Sequence, residues 1–390
     1  MTVKQRQVFY IHGFDPRGAA HYHRLYRDQA AKQSKLNGLN IKVSRRQRQS
    51  SHSHQWQLDT EYTHTDYCYL SWDDIIRAHW SKNWWQILGD FFHCLFAYVL
   101  TGRIFTFARH SYKQLIAGLF PVIYICSSVI VSGWLAVYLS KLVPWQSLPT
   151  AIQAAQLPLH WLFGILLFAL FMHGCKRVGD KLAVFWLLRI YAFALNWASG
   201  KITPLESKIE HFAGDISRAI QNLDNDEIVI VAHSVGTMVV IPSLAKALAS
   251  LPNDPVLWAN KRVVLMTLGQ CIPLLSFQPK AHDFKTHLQL LGQDSRLLWL
   301  DYTAPTDGAC FPLLDPITSC GLARTPNAGP YLLSPRFFAL YHAPHYKKLR
   351  RAWYTMHFLY LMANDKLGVY DYFAFTAGPK RIASQIKATI

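Results

Sequence analysis

The chain is short of charge. Only 16% of its 390 residues are Asp, Glu, Lys or Arg, against roughly 25% in a typical soluble domain, while 51% are hydrophobic. That balance argues against an ordinary soluble composition and points to lipid contact for part of the chain. Acidic residues are the scarcest class: 23 Asp and Glu face 40 Lys and Arg, a net charge of +17. Such a surplus suits an anionic membrane surface, the cytoplasmic bias of a membrane protein, or nucleic acid. The long apolar runs described below favour the membrane readings and set nucleic acid aside. Paired cysteine spacing is missing too. Cys68, Cys94, Cys126, Cys175, Cys271, Cys310 and Cys320 are odd in number and contain no CxxC. A disulfide framework or zinc site is therefore not expected, and a reducing compartment fits. The opening "MTVKQRQVFYIHGF" carries no signal-peptide core, so any membrane insertion is expected to be internal. Internal repeats and low-complexity segments are absent.

Two apolar runs stand out. No charged residue occurs between Lys113 and Lys141, and Gln114 to Ser140 suffices to cross a bilayer as a helix. A second, shorter candidate runs from Leu157 to Gly174, so transmembrane helices are expected at about 115–140 and 157–174. The intervening "VPWQSLPTAIQAAQ" reads as a crossing loop of a helical hairpin. Arg103, Arg109 and Lys113 precede the pair, Lys176, Arg177 and Lys181 follow it, and the loop side has Lys141 alone. The positive-inside rule puts both flanks in the cytoplasm. The expected location is a multi-pass protein of the cell (inner) membrane with its remaining mass cytoplasmic. A wholly buried helical pair in a large soluble protein is the alternative. Two interrupted apolar stretches, Asn83 to His110 and Lys181 to Trp197, are open to reading as interfacial helices, a lid, further spans or core.

Without residues 83–200 the chain alternates strands and helices. "QVFYIHGF", "NIKVSRRQ" and "TDYCYLSWDD" read as strands before the insertion, with "AAHYHRLYRDQAAKQ" a helix among them. "PLESKIEHFAGDISRAIQNL" reads as a helix after it, followed by strands "EIVIVAHS", "KRVVLMTLGQ" and "RLLWLDYTAP". The expected fold is α/β: a mostly parallel sheet with helices on both faces, plus an inserted helical hairpin. It is divided into 1–82, 83–200 and 201–390. "SRRQRQSSHSHQ", Ser44 to Gln55, reads as a polar, basic loop or hairpin tip.

Chemistry concentrates where strands end, because ligands bind outside the carboxyl ends of such strands. "IVIVAHSVGT" drives a buried strand into Ser234 and a Gly, with a helix after it in which Pro242 suggests a kink or a later start. The first strand stops at "HGFDPRG" and a later one at "DYTAPTDGACF". A His-Gly after an early strand, a small-x-Ser-x-Gly elbow and a later Asp, in this order, resemble the α/β-hydrolase superfamily. The resemblance covers about 7–80 and 200–377 and leaves out the apolar insertion. Ala232 departs from the G-x-S-x-G form, but is small enough for the tight turn.

This resemblance implies Ser234 as nucleophile, with an oxyanion hole from the amides of Val235 and of Phe14, the residue after His12 and Gly13. The acid follows the nucleophile. Asp307, on the loop beyond a strand, is preferred to Asp301 within it, and Asp315 is the outsider. His357 is the preferred base, with His342 and His345 as alternatives. His233 is read as packing beneath the elbow or helping to shape the pocket. Asp73 and Asp74 line the pocket, bind substrate or cap the next helix. No metal or organic cofactor is implied.

The resulting expectation is a membrane-anchored serine hydrolase, EC 3.1, that cleaves an ester or thioester through a Ser-His-Asp triad. Its partners would be membrane lipids and a small-molecule or acyl-ester substrate. The competing expectation is a catalytically silent α/β-hydrolase fold serving as a membrane scaffold or complex subunit. Nucleic-acid binding through "SRRQRQ" rests on charge alone.

Overall fold

The structure, a computed structural model, describes residues 2–80, 83–145, 155–258, 263–325 and 328–386. It divides into a sheet unit, Met1–Trp80, Ala108–Gln114 and Phe193–Ile390, and a helical unit, Ser81–Phe107 and Leu115–Ala192. The boundary therefore falls at Ala192 rather than 200, and a short strap, Ala108–Gln114, belongs with the sheet.

Among the described residues of the sheet unit nine strands form one sheet: β1 (Gln5–Ile11), β2 (Lys42–Val43), β3 (Gln47–Arg48), β4 (Ser53–Asp59), β5 (His64–Leu70), β6 (Glu227–His233), β7 (Val263–Leu268), β8 (Leu297–Tyr302) and β9 (Tyr331–Leu333). Their order is β2-β4-β5-β1-β6-β7-β8-β9, with β3 also on β4. From β5 to β9 every pairing is parallel, and β4 is antiparallel to β5, β2 and β3. Mixed α/β architecture with a mostly parallel sheet is thus established. "NIKVSRRQ" is not one strand but two dipeptide strands, and Ser44 to Gln55 is not wholly loop, since it contains β3 and the start of β4. The cause is visible in β4: Trp56 and Leu58 point into the core while Gln57 is exposed, so little apolar signal marks this strand in the sequence.

Central strands are buried from end to end; every residue of β6, β7 and β8 is inaccessible. Each fully buried aliphatic side chain contributes about 1.5–3 kcal/mol. Val8, Tyr10, Val229, Val231, Val264 and Met266 form one core face with α1 (Gly18–Asn37) and the C-terminal segment around Phe373. Elsewhere α8 (Thr203–Gln221) and α9 (Gly236–Ala249) pack together, their buried faces including Ile209, Phe212 and Ile216. Pro242 does not delay α9, which starts at Gly236 and runs through it. A buried ion pair ties the ends of this unit: Arg6 donates through Nε and Nη2 to Glu227 Oε2 at 2.9 and 2.8 Å, and through Nη1 to the Gly378 carbonyl at 2.7 Å.

The helical unit, together with the segments that lead into it, comprises α3 (Trp84–Cys94), α4 (Ile104–His110), α5 (Tyr112–Leu142), α6 (Gln156–Lys181) and α7 (Val184–Ala198), while α2 (Asp73–Ala78) follows β5 in the sheet unit. Among the described residues two helices, α5 and α6, are long and apolar enough to cross a membrane. At about 1.5 Å per residue both exceed the ~30 Å hydrocarbon core. The second extends past the expected end at Gly174 because charge stops the apolar run without stopping the helix; Lys176 and Asp180 pair one turn apart at 2.9 Å. Most of the crossing loop, 146–154, lies outside the described residues. Within Asn83–His110 the helices bend by 65° between Trp84–Leu100 and Ile104–His110. The other interrupted stretch becomes α7, whose apolar side chains, Leu188 and Ala192 among them, are buried. Tyr98 donates to the Tyr191 carbonyl at 3.2 Å and Cys94 to that of Leu188 at 3.8 Å, as in an ordinary core helix.

Candidate active site

Strand β6 delivers Ser234 to the turn before α9. Its φ of +57° lies in the left-handed region, where a residue with a Cβ is strained by about 1–3 kcal/mol. Packing holds it there. The Ser234 amide donates to the Leu268 carbonyl at 2.9 Å, and its own carbonyl accepts from Thr237 Oγ1 at 2.6 Å. Two glycines admit the turn. A Cβ on Gly236 would stand 2.5 Å from the carbonyl oxygens of Ile11 and His12, and one on Gly13 would stand 2.7 Å from Ser234 Cβ. The His12-Gly13 loop and the Ser234 turn are therefore in direct backbone contact, which is why each needs its glycine. Val235 precedes the first residue of α9, so its amide sits at the positive end of that helix.

The loop after β8 supplies Asp307, which is fully buried. Its Oδ2 accepts from His357 Nδ1 at 2.8 Å and from the Tyr360 hydroxyl at 3.0 Å, and its Oδ1 accepts from the Ala309 amide at 2.9 Å. Burial alone would raise this carboxyl's pKa, but the His357 charge and the hydrogen bonds from His357, the Ala309 amide and Cys310 outweigh it and hold it below the ordinary carboxylate range. With Nδ1–H donating to Asp307, Nε2 is the basic nitrogen of the His357 ring. Gly269, next after the carbonyl that holds Ser234, is the meeting point: a Cβ there would lie 3.2 Å from His357 Cε1 and 3.3 Å from Asp307 Oδ2. Ser234, His357 and Asp307 thus gather around Leu268–Cys271, and Cys271 Sγ stands 3.9 Å from Ser234 Oγ.

The remaining candidates lie elsewhere or serve other partners. Asp301 faces β7, where Thr267 Oγ1 donates to it at 2.6 Å, and burial pushes its carboxyl up to about 8. Asp315 accepts from the amides of Ile317 and Thr318 in a turn. His342 and His345 are exposed and both bind Asp365. Asp73 is held by Ser71 and Arg77, and Asp74 by Lys208 at 3.2 Å; neither caps α2. His12 stacks on Tyr69 at 5.1 Å, and burial lowers its pKa to about 4. His233 is buried against His357 and Phe358, its Nε2 donating to the His357 carbonyl at 2.8 Å, with burial and the neighbouring His357 lowering its pKa to about 3.

Several contributors escaped the sequence reading. Tyr360 braces the acid, and Thr237 Oγ1 accepts from the Cys271 amide at 3.0 Å. In the strap, Gln114 donates to the carbonyls of Gly308 and Cys310 at 3.2 and 2.7 Å, and Lys113 Nζ donates to that of Pro305, clasping the acid's loop from both ends. The site is closed: Ser234 is 3% exposed and His357 1%. A hollow of about 630 Å³ lined by Gln5, Gln7, Asp66 and Asp215 contains none of these residues. Among the described residues no cluster of three His, Cys, Asp or Glu side chains is arranged to hold a metal ion. Compared with known proteins, the chain matches no family model, no curated protein and no solved structure.

Proposed function

We propose that the protein is a membrane-anchored serine hydrolase of the α/β-hydrolase type, acting on an ester or thioester. One observation carries this reading: a strained Ser234 at a strand-to-helix turn shares the Leu268–Cys271 loop with a buried His357–Asp307 pair. In the reaction, His357 Nε2 takes the Ser234 proton as Oγ adds to the carbonyl carbon. The amides of Val235 and Phe14 hold the oxyanion. The imidazolium returns its proton to the leaving alcohol or thiol as the tetrahedral intermediate collapses. Water, activated by the same nitrogen, then hydrolyses the acyl-enzyme. Asp307 fixes the tautomer and stabilises the imidazolium.

Anchoring is by α5 and α6 as a hairpin, with the sheet unit on the cytoplasmic side as the flanking Lys and Arg dictate. A lipid or acylated substrate follows from that location. The near-complete burial of Ser234 favours a second reading, a silent fold used as a membrane scaffold.

Labelling of membranes with a fluorophosphonate separates the two readings. Wild type is expected to label and Ser234→Ala is not. Turnover of a short acyl ester should fall by about 10⁴-fold or more in Ser234→Ala and His357→Ala. A folded, membrane-inserted wild type that neither labels nor turns over ester would sink the hydrolase reading and leave the scaffold.

A further inference from the structure

We propose that residues 336–351 and 365–369 form a platform for the headgroups of anionic lipids; the inference rests on the membrane-anchored reading above. The two segments lie side by side. Amides of Asp365 and Lys366 donate to the Leu340 carbonyl at 3.0 and 2.9 Å, and the Tyr341 hydroxyl donates to the Ala363 carbonyl at 3.0 Å.

Arg336, Lys347, Lys348, Arg350, Arg351 and Lys366 are all exposed on them. The ion pairs among the described residues include none of these six. The one carboxylate in the two segments, Asp365, is already occupied by the His342 amide at 3.0 Å and His345 Nδ1 at 2.8 Å. Among the cations stand large apolar side chains in the open, Phe338 at 66% and Leu367 at 63% exposure, with Val369 beside them.

Six unpartnered cations around exposed Phe, Leu and Val match the boundary between headgroups and acyl chains, where phosphate and hydrocarbon are both within reach. Nucleic acid would use the cations but leave the aliphatic side chains in water. Chain continuity supplies the rest. Helix α5 begins at Tyr112 inside the same unit, so the proposed span tethers this unit to the bilayer and weak contacts suffice. Each cation near an anionic surface favours contact by about fivefold, within a screening distance of ~10 Å at 0.1 M salt. The platform also adjoins the site. The Tyr346 hydroxyl donates to Thr306 Oγ1 at 3.3 Å, next to Asp307, and Arg351 precedes the helix Trp353–Phe358 that carries His357.

The test uses the full chain in nanodiscs of phosphatidylcholine, alone or mixed with phosphatidylglycerol, and follows amide hydrogen exchange in 336–351 and 365–369. Anionic discs are expected to slow exchange severalfold at low salt, and high salt to restore the neutral-disc rate. Combined Lys347→Glu, Lys348→Glu, Arg350→Glu and Arg351→Glu should abolish that difference while exchange in β6 stays at its wild-type level. Arg350→Gln with Arg351→Gln, the milder pair, should halve it or more. Equal exchange in the two lipids overturns the proposal, as does protection by single-stranded RNA without protection by anionic discs. Failure of the chain to remain in discs would instead count against the anchor. Flotation with vesicles of the same two compositions then decides the platform: salt-sensitive flotation with the anionic vesicles alone supports it, and no difference overturns it.

Discussion

Apolar side chains fill both units, but they meet different surroundings. In β6 and β7 every residue is sealed within protein. On α5 and α6 the same residue types stand open: Ile130, Trp134, Leu166 and Leu170 are all more than half exposed, and no residue in the apolar window of α6 is buried. The difference teaches that hydrophobicity in this chain is used in two ways. One unit excludes water by packing against itself; the other carries two helices whose exposed apolar faces are long enough to cross a membrane.

Breaking the first unit should cost most. Glu227→Gln leaves the Arg6 guanidinium buried without its counter-charge, and is expected to destabilise the sheet unit by about 3–5 kcal/mol. Denaturant unfolding read by hydrogen exchange in β6 checks this, and carbonate-resistant insertion should remain unchanged. Next, Leu265→Ala in β7 is expected to cost about 2–5 kcal/mol through the cavity it leaves. Leu166→Ala on α6 should cost less than ~1 kcal/mol in lipid, where acyl chains fill the gap. Equal losses at Leu265 and Leu166 would erase the distinction between the units.

Two aspartates near the end of β8 sharpen the comparison within the sheet unit. Asp301 has a folded pKa raised to about 8 by burial, above the unfolded value of about 3.9. Its contribution is complete below that unfolded value and is lost as pH rises through the folded one. Melting temperature should therefore fall between about pH 4 and 8, and Asp301→Asn should flatten the fall. Asp307 has the opposite sign. Its folded pKa is depressed, so its contribution is present above the unfolded value and lost as acid protonates it. The smallest effect belongs to Tyr360→Phe, which removes one of three donors to Asp307. Turnover should drop by about tenfold or less, and the acid limb of the pH–rate profile should move to higher pH. A profile that keeps its shape would reduce Tyr360 to core packing.

The strands carrying the site were legible because burial on both faces writes a continuous apolar run, as in "IVIVAH". β4 escaped because a half-covered strand alternates with Gln and His, and β9 because three residues write no period. Ser234 was legible from its own turn. Asp307 was preferred to Asp301 for its place on the loop beyond the strand, while Tyr360, Thr237 and Gln114 had no local signature at all. Their roles arise where segments distant in the chain converge.

The contacts around Ser234 also have a bearing on mutational history. Asp307 comes from the loop after β8, and His357 and Tyr360 from one continuous segment, Trp353–Leu361, so that two stretches of chain supply all three side chains. Gly13 and Gly236 have no freedom to change, since any side chain there collides with Ser234 or with the carbonyls of Ile11 and His12. A descendant of this chain can change its chemistry in single steps, but to abandon the pivot it must first shift β1 against β6. The turn is the part of the molecule that single substitutions can destroy but not gradually reshape.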